Sequence, residues 1–135
     1  MRSISQDQIN FYNEKGYLIV EDVLSQDEIK ELGKITDNFV EKSKKITKHN
    51  EDFDLEPGHS KENPKLRRIK KPEKQHSIYK KTLMHPKILD IVEDLIGPNI
   101  RTLGGKLNMK APGGGAQVEW HTDWAFYPHT NDDIL

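Results

Sequence analysis

No cysteine occurs among the 135 residues. Disulfide frameworks, thiolate nucleophiles and cysteine-based zinc or iron–sulfur sites are therefore excluded, and any metal must be held by nitrogen and oxygen. No apolar run approaches the roughly 20 residues that a membrane-spanning helix requires. The start, Met1-Arg2-Ser3-Ile4-Ser5-Gln6, lacks the apolar centre of a signal peptide, so a cytoplasmic location is the expectation. An excess of charge of one sign is also missing. The formal net charge is −1, which gives no electrostatic case for nucleic acid or an anionic membrane as partner. Apolar residues are scarce as well, at 33% against 32% charged. At this length the chain forms at most one domain, with a thin core.

What is present is well punctuated. Ser5 with Gln8, and Ser25 with Glu28, read as capping boxes that open helices. The first helix has Ile9, Phe11 and Tyr12 on one side and Gly16 as its stop. The second carries Ile29, Leu32, Ile35 and Phe39 at three- and four-residue spacing, with Gly33 inside it. Between them Tyr17-Leu18-Ile19-Val20 reads as a short buried strand. From about Glu41 to His76 charged residues, Pro57-Gly58 and Asn63-Pro64 leave no sustained period, so the expectation is a long solvated loop and a candidate substrate lid. His85-Pro86 begins another helix with a buried stripe of Ile88, Leu89, Val92, Leu95 and Ile96, closed by Gly97-Pro98. After Asn99 the period moves towards two. Arg101 to Lys110 reads as a strand with Lys106, Asn108 and Lys110 on one face and Leu107 and Met109 on the other. A loop through Gly115 leads to a further strand from Gln117 to Tyr127. No internal repeat is visible.

The chemistry sits in Trp120-His121-Thr122-Asp123-Trp124. On an extended strand His121 and Asp123, two apart, point to the same face. A neutral imidazole and a carboxylate there can hold two adjacent corners of a metal's coordination shell. Completed by a second histidine, such a pair makes the facial triad of non-haem Fe(II) oxygenases. The spacing alone is a weak signal, since surface strands carry it by chance. Its surroundings strengthen it. Trp120, Trp124, Phe126 and Tyr127 flank the pair with aromatic surface, the preceding glycines allow close backbone approach, and a polar strand face (Lys106, Asn108, Lys110) comes just before. His129 reads as a loop residue; His49, His59, His76 and His85 read as loop or cap residues.

The chain resembles the phytanoyl-CoA dioxygenase family of Fe(II)- and 2-oxoglutarate-dependent oxygenases. The resemblance runs through Phe11-x-x-x-x-Gly16-Tyr17-Leu18-Ile19-Val20-Glu21-Asp22, through His85-Pro86-Lys87-Ile88-Leu89-Asp90 and Leu95-Ile96-Gly97-Pro98-Asn99-Ile100, and most closely through Lys106-Leu107-Asn108-Met109-Lys110-Ala111-Pro112-Gly113-Gly114-Gly115 into the Trp120–Trp124 motif. It implies that His121 and Asp123 are iron ligands, and that Lys106, Asn108 and Thr122 lie beside the cosubstrate 2-oxoglutarate. Arg67, Arg68 or Lys70 could supply a further basic contact. It also implies a small-molecule substrate and O2 as partners, and hydroxylation of an unactivated C–H bond.

The implied fold is α+β: N-terminal helices packed on the first strands of an incomplete double-stranded β-helix, jelly-roll or cupin-like. The family's second iron histidine and its 2-oxoglutarate-binding arginine lie further downstream than Leu135. The expectation is therefore a single partial domain over 1–135, the N-terminal portion of an oxygenase carrying the His-x-Asp half of the iron site and inactive alone. A rival reading is a truncated, non-catalytic remnant or a half-jelly-roll that needs a partner, with a homo-oligomer forming through exposed strand edges. Zinc-dependent hydrolysis is a weaker rival, since no third ligand is visible.

Overall fold

Both capping boxes form as their spacing implies. The computed structural model describes residues 2–112, 115–126 and 135. In α1 (Gln6–Lys15) the Ser5 hydroxyl accepts from the Gln8 N–H while the Gln8 side chain accepts from the Ser5 N–H. Ser25 and Glu28 repeat the exchange at α2 (Gln26–Ser43). Each box satisfies donors that the first helical turn leaves unpaired. α1 stops at Gly16, whose φ of +77° is the left-handed conformation that closes a helix without a Cβ penalty.

Three short strands, β1 (Phe53–Leu55), β2 (Leu66–Lys70) and β3 (Lys106–Asn108), form an antiparallel sheet in the order β1-β2-β3. The register sets Phe53, Ile69 and Leu107 in one row across the sheet and Asp54, Arg68 and Asn108 in the next. Neighbouring rows point to opposite faces, so one face is apolar and the other charged. Between Asp54 and Leu55 the register shifts, and Leu55 pairs with Leu66. Arg67 is the extra residue of this bulge. The bulge explains how Leu66 and Ile69, three apart, are both buried, at 3% and 0% exposed, because it turns the strand by one residue.

The apolar face is covered by α2 and by α4 (Ser77–Leu83), which follows the short α3 (Pro72–Gln75). Phe39, Ile78 and Tyr79 pack with Phe53, Leu55, Leu66 and Ile69 into one core. The Phe39 ring lies 5.9 Å from that of Phe53 and 6.0 Å from that of Tyr79, both tilted, within the range in which aromatic pairs add to plain area burial. The Tyr79 hydroxyl is 2.9 Å from Thr36 Oγ1, so the one polar atom of that ring is satisfied. His59 clasps the end of α2: its Nε2–H donates to the carbonyls of Ser43 and Ile46, and its Nδ1 accepts from the Lys65 N–H. His49 accepts from the Leu55 N–H through Nδ1, and His76 caps α4 by accepting from the Ile78 N–H.

Several expectations are overturned. Tyr17–Val20 is not a strand; Tyr17 is 55% and Ile19 74% exposed. A four-residue apolar run carries no period, and strand propensity counts only where a neighbouring strand supplies a ladder. Tyr17 instead stands edge-on to Phe11, 5.3 Å between centroids. The segment 41–76 is not one continuous loop. It supplies β1, β2 and α3, so these strands are core and cannot serve as a lid. Its charges misled because they fill the far face of the sheet, while the bulge breaks the apolar alternation. The stripe on α5 (Pro86–Ile96) is half-buried rather than buried, with no residue of the helix enclosed. The strand anticipated over Arg101–Lys110 is limited to β3, since Gly104, at φ +103°, bends the chain before it. Gln117–Tyr127 is not a strand within its described part; it runs irregularly to a 3-10 turn at Asp123–Ala125. Tyr127 and His129 lie outside the described residues. The architecture is α+β, a small antiparallel sheet under helices. No helix among the described residues is long and apolar enough to cross a membrane.

Candidate metal centre

The charged face of the sheet is the floor of the site. In its central row Arg68 donates from Nε to Asn108 Oδ1 at 2.9 Å and from Nη1 to Asp54 Oδ2 at 3.1 Å. Lys70 Nζ reaches the other oxygen of Asp54 at 2.8 Å. Burial works against ionisation of Asp54, but the hydrogen bond and charge of Lys70, with Arg68 and His49, outweigh it and hold the carboxyl below its ordinary range. Asn108 is thus oriented through Arg68, with its side-chain oxygen accepting from the guanidinium.

The wall opposite is the segment 115–126. His121 Nδ1 lies 2.6 Å from the Glu119 carbonyl oxygen. A carbonyl only accepts, so Nδ1 carries the proton, and in the neutral ring Nε2 presents a lone pair. Metal-bound histidines have the same arrangement: the second nitrogen is tied to a backbone carbonyl, which sets tautomer and ring orientation. That Nε2 is 3.4 Å from Asp123 Oδ1. Two donors in adjacent positions about 2.1 Å from a metal stand about 3 Å apart, so the pair needs little adjustment to share one ion. The Phe126 ring meets the imidazole edge-on at 5.4 Å. Nitrogen and carboxylate oxygen also match the donors that ferrous iron takes in facial sites, so the residues fit the metal. Among the described residues no group of three or more histidines and carboxylates is gathered around one point; these residues supply two donors.

The expected same-face placement on a strand is replaced by a turn. Asp123 opens the 3-10 turn, with the Ala125 N–H donating to the Thr122 carbonyl and the Phe126 N–H to the Asp123 carbonyl. The turn brings the carboxylate back towards His121. A cavity of 590 Å³ then gathers Lys106, Asn108, His121 and Asp123 with Arg67, Arg68 and Lys110. Thr122 is not among its lining residues and Trp120 is fully exposed, so among the described residues the aromatic flank is Phe126, with Trp124 at the neighbouring cavity. Asp123 and Lys106 also border a second cavity of 840 Å³ lined by Leu83, Ile88, Leu89, Val92 and Ile96. Sequence reasoning missed Glu56, a buried carboxylate at the edge of the first cavity. Its signal lay in Phe53-x-Leu55, an alternation that makes a strand end there.

A family profile described as phytanoyl-CoA dioxygenase (PhyH) matches residues 12–135. Over 124 residues the chain is 34% identical to a protein of Stutzerimonas stutzeri described as a probable alpha-ketoglutarate-dependent hypophosphite dioxygenase; the match covers 92% of this chain and 43% of that protein. The chain thus spans less than half the length of that relative. With a polar sheet face opposing a histidine–carboxylate pair, and a profile match running from the first helix to the last residue, the chain belongs to the phytanoyl-CoA dioxygenase family.

Proposed function

We propose that this chain carries the His-x-Asp half of the iron site of an Fe(II)- and 2-oxoglutarate-dependent dioxygenase, on the first part of a jelly-roll domain completed by further chain. The observation that carries the reading is the convergence of His121 Nε2 and Asp123 Oδ1 to 3.4 Å above the polar sheet face. His121 and Asp123 are the metal ligands. Lys106 supplies an ammonium group for a 2-oxoglutarate carboxylate, Asn108 an oriented amide, and Thr122 a hydroxyl between the ligands. Bound ferrous iron and 2-oxoglutarate supply oxidative decarboxylation to succinate and CO2, coupled to activation of O2. The protein's part is to hold the Nδ1–H of His121 on the Glu119 carbonyl, so that the Nε2 lone pair faces Asp123 Oδ1 and the metal.

The substrate is a small molecule. The apolar cavity beside Asp123 favours an organic compound hydroxylated at an unactivated C–H bond. The cations Arg67, Lys106 and Lys110 favour a second reading, a small phosphorus oxyanion oxidised at a P–H bond, in keeping with the hypophosphite named for the S. stutzeri protein. A homo-oligomer formed through strand edges belongs to the same proposal. Anaerobic Fe(II) titration with and without 2-oxoglutarate tests it. A weak visible charge-transfer band that needs both components, and is lost in His121→Ala and Asp123→Ala, is the expected outcome. Iron binding unchanged in both variants would remove the basis of the reading.

A further inference from the structure

Glu56 is the buried carboxylate of the described residues, 5% exposed. A carboxylate withdrawn from water is costly unless hydrogen bonds replace its hydration, so what it bonds is informative. Its N–H extends the sheet by donating to the Lys65 carbonyl at 2.8 Å, and its carbonyl closes a turn by accepting from the His59 backbone N–H at 3.1 Å. Its side chain leaves the sheet: Oε2 accepts from the Ala116 N–H at 2.7 Å, sixty residues further along the chain. The neighbouring glycine shows how closely the two meet. A Cβ on Gly115 would lie 2.5 Å from Lys110 Cγ and 3.2 Å from Glu56 Oε1, so the backbone sits against both side chains in a space that only glycine leaves open. The hydrogen bonds of His121 and Ala125 described above stay within their own segment. Glu56, Ala116, His121 and Asp123 border the same cavity.

We propose that Glu56 is a positioning residue. Its carboxylate anchors the segment 115–123 to the end of β1, and so sets where His121 stands and which nitrogen it presents. The role rests on the reading of His121 and Asp123 as metal ligands. It differs from that of a ligand, because Glu56 acts through the Ala116 amide. It also differs from a general contribution to folding, because its hydrogen bond joins the sheet to the site rather than the sheet to its core.

The test uses the full chain, free of metal, labelled with 15N. Long-range 1H–15N spectra report the His121 tautomer, and amide exchange reports Ala116. Glu56→Ala removes the acceptor, Glu56→Gln keeps a carbonyl oxygen in its place, and Ala116→Pro removes the donor without touching the sheet. The wild type and Glu56→Gln are expected to show the Nδ1–H form. Glu56→Ala and Ala116→Pro are expected to show a mixture of both tautomers, with Ala116 exchange at least about 10-fold faster in Glu56→Ala and the Ile69 amide still protected. Fe(II) affinity is expected to fall about 10-fold in the same two variants, the usual scale for losing support behind a ligand. An Nδ1–H signature that persists in both variants overturns the proposal, as does Glu56→Gln behaving like Glu56→Ala. Should Glu56→Ala fail to fold, Ala116→Pro decides alone. If the wild type binds no Fe(II), the metal reading fails, while the tautomer comparison still decides whether Glu56 positions His121.

Discussion

Among the described residues two histidine–aspartate pairs stand, and the hydrogen bonds around them differ. His49 Nδ1 is 3.8 Å from Asp54 Oδ1, and His121 Nε2 is 3.4 Å from Asp123 Oδ1. At the first pair the atoms that face each other are already engaged. Asp54, with 18% of its side chain exposed, takes Arg68 and Lys70, while His49 Nδ1 accepts from the Leu55 N–H. At the second pair Nδ1 is occupied by Glu119, so Nε2 is left with a lone pair, and Asp123 is 76% exposed at a cavity. Proximity of the two residue types therefore does not make a metal site. What decides is whether the donor atoms remain available once the surrounding hydrogen bonds have been counted.

The contrast is sharpest in metal affinity. His121→Ala and Asp123→Ala should weaken Fe(II) binding by more than about 100-fold and change unfolding free energy by less than about 0.5 kcal/mol, since both side chains are surface groups. His49→Ala and Asp54→Asn should leave Fe(II) affinity within about twofold of the wild type. Titration followed by absorbance, with denaturant melts alongside, reads both quantities. In stability the order reverses. Ile69→Ala, emptying the most enclosed apolar position of the sheet, should cost about 2–5 kcal/mol in urea unfolding.

Asp54→Asn should cost about 2 kcal/mol at neutral pH, as a partly buried, charge-assisted pairing is lost. Its pH dependence follows from the lowered carboxyl. Asp54 is held below its ordinary value of 3.8, so its stabilisation is present above that value. It disappears as pH falls through the lower folded-state value, where wild type and variant should converge. The smallest effect is a gain. Gly33 lies inside α2 on an exposed face, with nothing within 4 Å of an added Cβ; Gly33→Ala should raise stability by about 1 kcal/mol without altering metal binding.

Local signals in the sequence carried far. Ser5, Ser25, Gly16 and Gly97-Pro98 mark helix ends through contacts within a few residues, and the helices begin and end where these indicate. The two faces of 106–110 were also legible, with Leu107 and Met109 against the core and Lys106, Asn108 and Lys110 outward. Pairing between distant segments was not. β1 and β2 each carry two core residues amid lysine, arginine and glutamate, and the bulge at Arg67 shifts Leu66 out of step with Ile69. Neither strand has a pattern until the other lies beside it. The motif itself was found by residue type, yet its geometry comes from a turn at Asp123 rather than from strand alternation. Glu56 stayed hidden because a carboxylate five residues beyond His49-Asn50-Glu51 reads as part of a solvated run.

The central claim is the location of the metal, and paramagnetic broadening by Fe(II) in the 15N-labelled full chain tests it most directly. The account predicts that resonances of His121 and Asp123 vanish first, with Lys106, Asn108 and Phe126 broadened around them and α1 unaffected. Broadening centred on His49 and Asp54, or spread evenly over the surface histidines, would contradict it.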